Sequence, residues 1–463
     1  MRNVEQANSP CNIVIVGASG DLTKKKLIPA LFSLYCNGLL PDDFRVVGFA
    51  RSQKTDAEFR AQMSGLLMCR YEPEPDQCDL KTAAFLARCY YHTGQYTNPD
   101  DFAALGKRLQ EIGGADANLL MYMAIPPSVF LDTAHSVRTA GLTEERNGTW
   151  ARVVIEKPFG RDAESSEQLT EALGRIFSER QTYRIDHYLG KEVIQNLLIL
   201  RFGNRIFEPI WNRDNIDSVS IAFSEKIGVE GRAGYFNHFG ITRDVVQNHL
   251  LQALALVAME QPITLTPREI AEEKTKVLRA TAPMDIASTV LGQYQGYLDD
   301  PDVPDDSVTE TYVRTTLAVN TPRWYGVPFH ISAGKALATQ ETEIVIRFRE
   351  LPYPLFPGVA ANSLRIRVQP DAAIEMVVNN KVPGMKLETA DVRLNMLYNE
   401  QFATELPEAY ERLLLDVLRE DRSLFIQRHE LAAAWNIVTP LLKQIETKRA
   451  QPTQYAYGSS GPE

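Results

Sequence analysis

The sequence predicts two domains: an N-terminal α/β domain with a doubly wound parallel sheet, and a C-terminal α+β domain with a large, mainly antiparallel sheet. Three observations predict this. Short apolar runs alternate with helical periods over roughly the first 180 residues, the pattern of strands joined by crossover helices. Beyond Ile185 the apolar residues alternate with polar ones instead, as in strands with one buried face. The length, 463 residues, suits two or three domains. The expected division is residues 1–185 and 186–463.

Asn12–Val16 is a buried-strand run that ends at Gly17. From Leu22 to Tyr35 the residues Leu27, Ile28, Leu31 and Leu34 keep a helical period. Arg45–Ala50 is a second strand, and Leu119–Ile125 another, stopped by Pro126 and Pro127. Arg152–Glu156 is a further strand, stopped by Pro158. In the second half Ser218–Phe223, Thr311–Val319, Glu343–Phe348 and Ser363–Val368 alternate as half-buried strands. Thr242–Ala258 reads as a long helix, with Tyr410–Leu418 and Glu430–Ile445 as two more. The tail Gln451–Glu463 is rich in Pro, Gly and Ser, and is expected to be extended or frayed.

Composition narrows the function. With 44% apolar and 23% charged residues the chain is an ordinary globular protein. Its 49 Lys+Arg against 59 Asp+Glu leave a net charge of −10, which argues against a broad phosphate-neutralising face and so against nucleic acid. A small anion remains compatible, because a pocket's charge need not follow the total. No apolar run reaches the roughly 18 residues of a membrane span, so no membrane partner is expected. Met1–Pro10 is polar, and no signal peptide is expected. The five cysteines (Cys11, Cys36, Cys69, Cys78, Cys89) form no C-x-x-C pair. Neither a disulfide framework nor a zinc site is expected, and a reducing, cytoplasmic setting follows. Asn147 opens a glycosylation pattern read as chance. No H-E-x-x-H or Cys/His set indicates a metal.

Four segments carry chemistry-bearing groups. Gly17, Ala18, Ser19, Gly20, Asp21 and Leu22 join the first strand to the first helix. Such a turn either cradles a pyrophosphate on backbone N–H groups or only packs strand on helix. At the end of the second strand stands Arg51, where an NAD-binding fold usually has an acid. It is either a solvated surface arginine or the partner of a ribose 2′-phosphate, which would favour NADP. Glu156–Gly160 places Lys157 at a strand end, beside a proline. Arg184–Lys191 gathers Arg184, Asp186, His187, Tyr188 and Lys191 into eight residues. Arg243–His249 opens a helix with Asp244 and brings His249 one and a half turns later. Singly, Lys157 also reads as a rim lysine, Asp186 and His187 as helix caps and His249 as a core histidine. Together they put titratable groups at strand ends and helix starts, where α/β proteins build ligand sites.

These segments resemble the motifs of the glucose-6-phosphate dehydrogenase family: Gly17–Lys26, Glu156–Gly160, Arg184–Lys191 and Arg243–His249. Leu200–Phe207, Gly334–Leu337, Arg367–Pro370 and Tyr457–Pro462 agree as well, so the resemblance runs from about Asn12 to Pro462. It implies a Rossmann-like first domain and hydride transfer from C1 of glucose 6-phosphate to NADP, giving 6-phosphoglucono-δ-lactone, the first step of the oxidative pentose phosphate pathway. His249 is implied as general base, with Asp186 holding its imidazole; an adjacent carboxylate favours the charged ring. His187, Tyr188, Lys191 and Lys335 are implied for the 6-phosphate. Glu225, Asp244, Lys157 and Gln369 are implied for the sugar hydroxyls. Gly17–Leu22 would hold the cofactor phosphates, Arg51 the 2′-phosphate, and Lys157 would lie near the nicotinamide. A homodimer or homotetramer paired through the large sheet is also implied.

Departures from the pattern matter. Phe130 stands where many members have a tyrosine, and Gln340 and Glu341 stand where animal members line a second, structural NADP site with basic residues. Acids facing a phosphate repel it, so that second site is not expected. Two other readings are a catalytically silent NADP-binding homologue and a sugar-phosphate dehydrogenase of the same fold that uses NAD.

Overall fold

The computed structural model describes residues 9–69, 75–113, 116–145, 148–356, 358–402 and 406–462. The polar N-terminal segment up to residue 8 and the Asn147 pattern lie outside them. The chain folds into two compact units. The first is Met1–Gly160, Glu164–Gly190 and Pro407–Arg428; the second is Arg161–Ala163, Lys191–Leu406 and His429–Glu463. The expected cut after residue 185 therefore falls inside the first unit, to which Pro407–Arg428 returns. The apolar face of that segment accounts for the return: Leu413, Leu414 and Val417 lie in the core of the first unit.

The first unit is built on β1 (Cys11–Val16), β2 (Phe44–Ala50), β3 (Cys89–Thr93), β4 (Asn118–Met123), β5 (Ala151–Ile155) and β6 (Thr182–Ile185), with β15 (Phe425–Ile426) arriving late. Every residue of β1, β5 and β6 is buried, as runs covered on both faces require. The sheet order is β15-β6-β5-β4-β1-β2-β3. All pairs are parallel except β15 on β6, so the doubly wound sheet carries one antiparallel edge. Arg152, on β5, fastens the returning segment: its guanidinium donates to the carbonyls of Val417 (2.6 Å) and Leu418 (3.0 Å). Those carbonyls end the helix Ala409–Leu418, where a cation is favoured.

One cysteine expectation is overturned. Cys69 and Cys78 form a disulfide, in which Cys11, Cys36 and Cys89 take no part. The helix Pro75–Ala87 turns Cys78 back toward Cys69 across nine residues, a proximity that no C-x-x-C spacing signals.

The second unit carries β7 (Ile216–Ser224), β8 (Thr289–Tyr294), β9 (Tyr312–Ala318), β10 (Pro328–Gly334), β11 (Glu341–Phe348), β12 (Ser363–Gln369), β13 (Ala373–Lys381), β14 (Thr389–Leu397) and β16 (Thr453–Tyr455). They form one nine-stranded sheet in the order β14-β13-β12-β11-β7-β10-β9-β8-β16. It is antiparallel except where β7 meets β10 and β8 meets β16. Of the two states expected for the tail the extended one is found: it adds β16 to the sheet, and Tyr455 is buried against it. The expected helix Thr242–Ala258 is wide and π-helical over Thr242–Leu250, then α-helical over Leu251–Ala258. Turns of that width recur at functional sites.

Candidate active site

In the first unit the turn after β1 is tied down by its own backbone. Gly17 and Ala18 both donate to the Phe49 carbonyl, at 2.8 and 3.2 Å. The Thr23 hydroxyl donates to the Gly17 carbonyl at 3.2 Å, locking the turn to the helix that follows. Three of the six expected phosphate-facing amides are thus spent, those of Gly17 and Ala18 on β2 and that of Gly20 on the Gly17 carbonyl at 3.0 Å. Gly17 has φ +98°, and a Cβ there would stand 2.1 Å from the Ala124 oxygen, so only glycine fits. Asp21 points its carboxylate at Lys25 (2.8 Å) rather than into the turn, and that ion pair holds its pKa below the usual value. Arg51 is exposed just beyond β2, its guanidinium 5.4 Å from the Tyr96 ring centre.

Lys157 follows β5 and is joined to Pro158 by a cis peptide bond. The residue before it, Glu156, accepts from the phenols of Tyr122 and of Tyr410 (3.2 Å), and burial pushes its carboxyl up. Asp186, at the end of β6, is 1% exposed and accepts the Tyr188 N–H at 2.9 Å. It does not cap the next helix: Glu192–Phe202 begins at Lys191 with no side-chain cap. His187 lies edge-on to Tyr188 at 5.0 Å and parallel to Tyr410 at 6.3 Å.

In the second unit the sheet register collects the sugar-binding candidates. Parallel pairing sets Gly334 beside Ser224, so the next residues, Lys335 and Glu225, leave two neighbouring strands at one end. Their side chains form an ion pair. Pairing of Glu341 with Ser224 and of Thr342 with Gln369 brings Gln369 to the same end. Lys191 donates to the Gln369 side chain at 2.5 Å. Glu341 on β11 is paired with Arg365 on β12 at 2.9 Å.

Asp244 and His249 ride on the π-helical stretch, which packs against β7 and β10. His249 is 3% exposed, and Asp244 is half-buried. The Asn248 amide returns to the Arg243 carbonyl at 3.1 Å, and its oxygen accepts the His249 N–H at 2.7 Å, supporting the wide turn. Sequence reasoning missed Glu310, whose buried carboxylate accepts the Thr242 N–H at 3.1 Å and anchors the start of this helix. Gly240, at φ +70°, makes room for it: a Cβ there would meet the carboxylate at 2.5 Å. The signal available was a lone acid at the mouth of an alternating run, which looks like an exposed strand end. Tyr96 was missed as well, since it follows an unremarkable Gly94-Gln95 pair.

Known proteins resemble the chain along its whole length. Residues 14–196 match the model of the glucose-6-phosphate dehydrogenase NAD binding domain, and residues 198–463 that of the C-terminal domain. A chloroplastic glucose-6-phosphate 1-dehydrogenase of Nicotiana tabacum is 48% identical over 99% of this chain and 79% of its own length. A cytoplasmic one of Arabidopsis thaliana is 45% identical over 97% of this chain and 89% of its own. Among solved structures, a glucose-6-phosphate dehydrogenase in complex with its substrate glucose 6-phosphate superposes with a TM-score of 0.94 at 39% identity, covering 100% of this chain and 97% of that one.

Proposed function

The chain belongs to the glucose-6-phosphate dehydrogenase family, and from that premise we propose how its residues carry out the oxidation of glucose 6-phosphate at C1 to the δ-lactone. The observation that carries the reading is the end of the large sheet where Glu225, Lys335, Gln369 and Lys191 converge in two pairs, beside strands that support the helix of Asp244 and His249.

In this reading Lys191 and Lys335, with His187 and Tyr188, hold the dianionic 6-phosphate. The lysines have no rigid fork to satisfy, so they can exchange Gln369 and Glu225 for phosphate oxygens. Glu225 and Gln369, once released, take sugar hydroxyls with Asp244 and Lys157. His249 accepts the C1 hydroxyl proton, a role for which an imidazole's ordinary pKa of about 6.5 is suited. Asp186 is the carboxylate proposed to orient that ring and stabilise its cationic form.

The first unit fits a dinucleotide: a turn that admits no Cβ at Gly17 leads into a helix start, and a cation follows β2. Because Gly17 and Ala18 are committed to Phe49, and Gly20 to the Gly17 carbonyl at 3.0 Å, Ser19, Asp21 and Leu22 are the proposed phosphate donors. When bound, the nicotinamide takes the hydride that leaves C1. NADP rather than NAD is the proposed cofactor, on the cation at Arg51. The proposed assembly is a homodimer or homotetramer, supported by the edge strand β14, where Val392 and Leu394 are exposed. No helix among the described residues is long and apolar enough to cross a membrane. A cytoplasmic setting is supported by the cytoplasmic relatives, and the chloroplastic ones make cell fractionation its test.

Reduced nicotinamide formation with glucose 6-phosphate, compared for NADP and NAD at matched concentrations, tests the reaction and the cofactor together. Turnover with a preference for NADP is expected. Cofactor binding without turnover would favour a silent homologue, and a preference for NAD would remove the role of Arg51.

A further inference from the structure

We propose that Tyr96 is a positioning residue for cofactor choice: its ring holds the Arg51 guanidinium where a ribose 2′-phosphate would meet it. The inference rests on the reading of Arg51 given above and extends it to the group that places the cation. Arg51 is exposed and has four rotatable side-chain bonds, so left alone it would sample many positions.

The structure supplies a platform for it. Tyr96 is buried to 8% exposure beneath the guanidinium, whose carbon is 5.4 Å from the ring centre, within cation–π range. The ring is itself fixed. It rests on Phe49, the residue two before Arg51, at 6.2 Å between centres; Phe49 in turn stacks on Phe102 at 4.6 Å and His92 at 5.8 Å.

Backbone contacts bring Tyr96 to this place. The Gly94 N–H donates to the Ala50 carbonyl at 3.1 Å, tying the loop after β3 to the end of β2. Gly94 permits the approach, because a Cβ there would stand 2.6 Å from the Phe49 ring and 2.9 Å from the Asp101 Cβ. Gln95 is held by the Asp101 carboxylate at 2.7 Å, and the Tyr91 phenol donates to the Ser52 carbonyl at 2.8 Å. The backbone on both sides of Arg51 is thus fixed, while the arginine itself is held by the ring. The Tyr96 phenol also interacts with the guanidinium, so Phe would keep the ring contact and lose only the hydroxyl's share.

The test uses the full chain and two probes without nicotinamide, 2′,5′-ADP and 5′-AMP, titrated by calorimetry. The readout is the ratio of their affinities, alongside the NADP over NAD ratio of kcat/KM. Tyr96→Leu is expected to lower both ratios about threefold to tenfold, the size of a cation–π contact, with 5′-AMP affinity unchanged. Tyr96→Phe, which keeps the ring without the hydroxyl, is expected to lower both ratios by less than Tyr96→Leu does. In an Arg51→Ala background, Tyr96→Leu is expected to add nothing. Loss of both probes in equal measure would mark Tyr96 as merely structural and overturn the proposal. So would an unchanged ratio in Tyr96→Leu when Arg51→Ala abolishes the preference. If Arg51→Ala itself leaves the preference intact, the reading of Arg51 falls and takes the proposal with it.

Discussion

Replacing Gly17 by alanine is a perturbation whose size the structure sets. An added Cβ would stand 2.1 Å from the Ala124 oxygen and 2.8 Å from its carbonyl carbon, where real Cβ atoms keep at least 3.0 Å. Backbone is in the way, not a side chain that can swing aside, so the turn must retreat by about 1 Å, enough to break an amide–phosphate hydrogen bond worth about 1.5–3 kcal/mol. The φ of +98° adds about 1–2 kcal/mol of strain for a residue with a Cβ. The retreat also strains the bonds from Gly17 and Ala18 to the Phe49 carbonyl, which align the turn with the end of β2. Calorimetric titration with NADP, on variant protein whose circular dichroism matches the parent, should therefore show affinity reduced about tenfold to 100-fold. Gly38→Ala is the control: its φ is +65° but nothing lies within 4 Å of the new Cβ. That variant should lose about 1–2 kcal/mol of stability and bind NADP normally. Parental affinity in Gly17→Ala would refute the placement of the cofactor phosphates on this turn.

Lys191→Ala should raise the glucose 6-phosphate KM by up to about 100-fold, the worth of a charged hydrogen bond, while kcat moves far less; a kcat loss at unchanged KM would contradict a phosphate-binding role. Asp416→Asn should flatten the pH dependence of thermal stability. Burial pushes the Asp416 carboxyl up to about 7 despite its bond to Arg412 at 3.0 Å. The native state thus keeps a proton that the unfolded chain releases near about 4, and stability falls as pH rises from about 4 to 7, by a few kcal/mol at most. Melts across that range should converge at low pH, with the variant the more stable at about pH 8; parallel curves would show that Asp416 does not titrate in this window.

Much of the first unit was legible because its strands are buried on both faces. Runs such as Ile13–Val16 and Val153–Ile155 leave no polar residue to confuse them. The Cys89–Thr93 strand was missed, since it mixes Tyr, His and Thr and is only partly buried. In the second unit β13 and β14 escaped notice because β14 is largely exposed, so neither face selects for apolar residues. The helix of His249 was found by its apolar period, but its widened turn is set by Asn248 and Glu310, contacts that no local pattern carries. The same holds for Pro407–Arg428, whose helix was legible and whose placement in the first unit was not, because Arg152 lies more than two hundred residues away. Pairings such as Lys335 with Glu225 follow from parallel register, which only the assembled sheet reveals.

The proton-accepting role of His249 is tested most directly by His249→Asn, with kcat measured beside the glucose 6-phosphate dissociation constant. The amide keeps polar bulk in a pocket-sized space but cannot take a proton. Turnover should fall by about 10²- to 10⁴-fold, the usual worth of general-base catalysis, with binding within a few-fold of the parent. Turnover within tenfold of the parent, or loss confined to substrate binding, would contradict it.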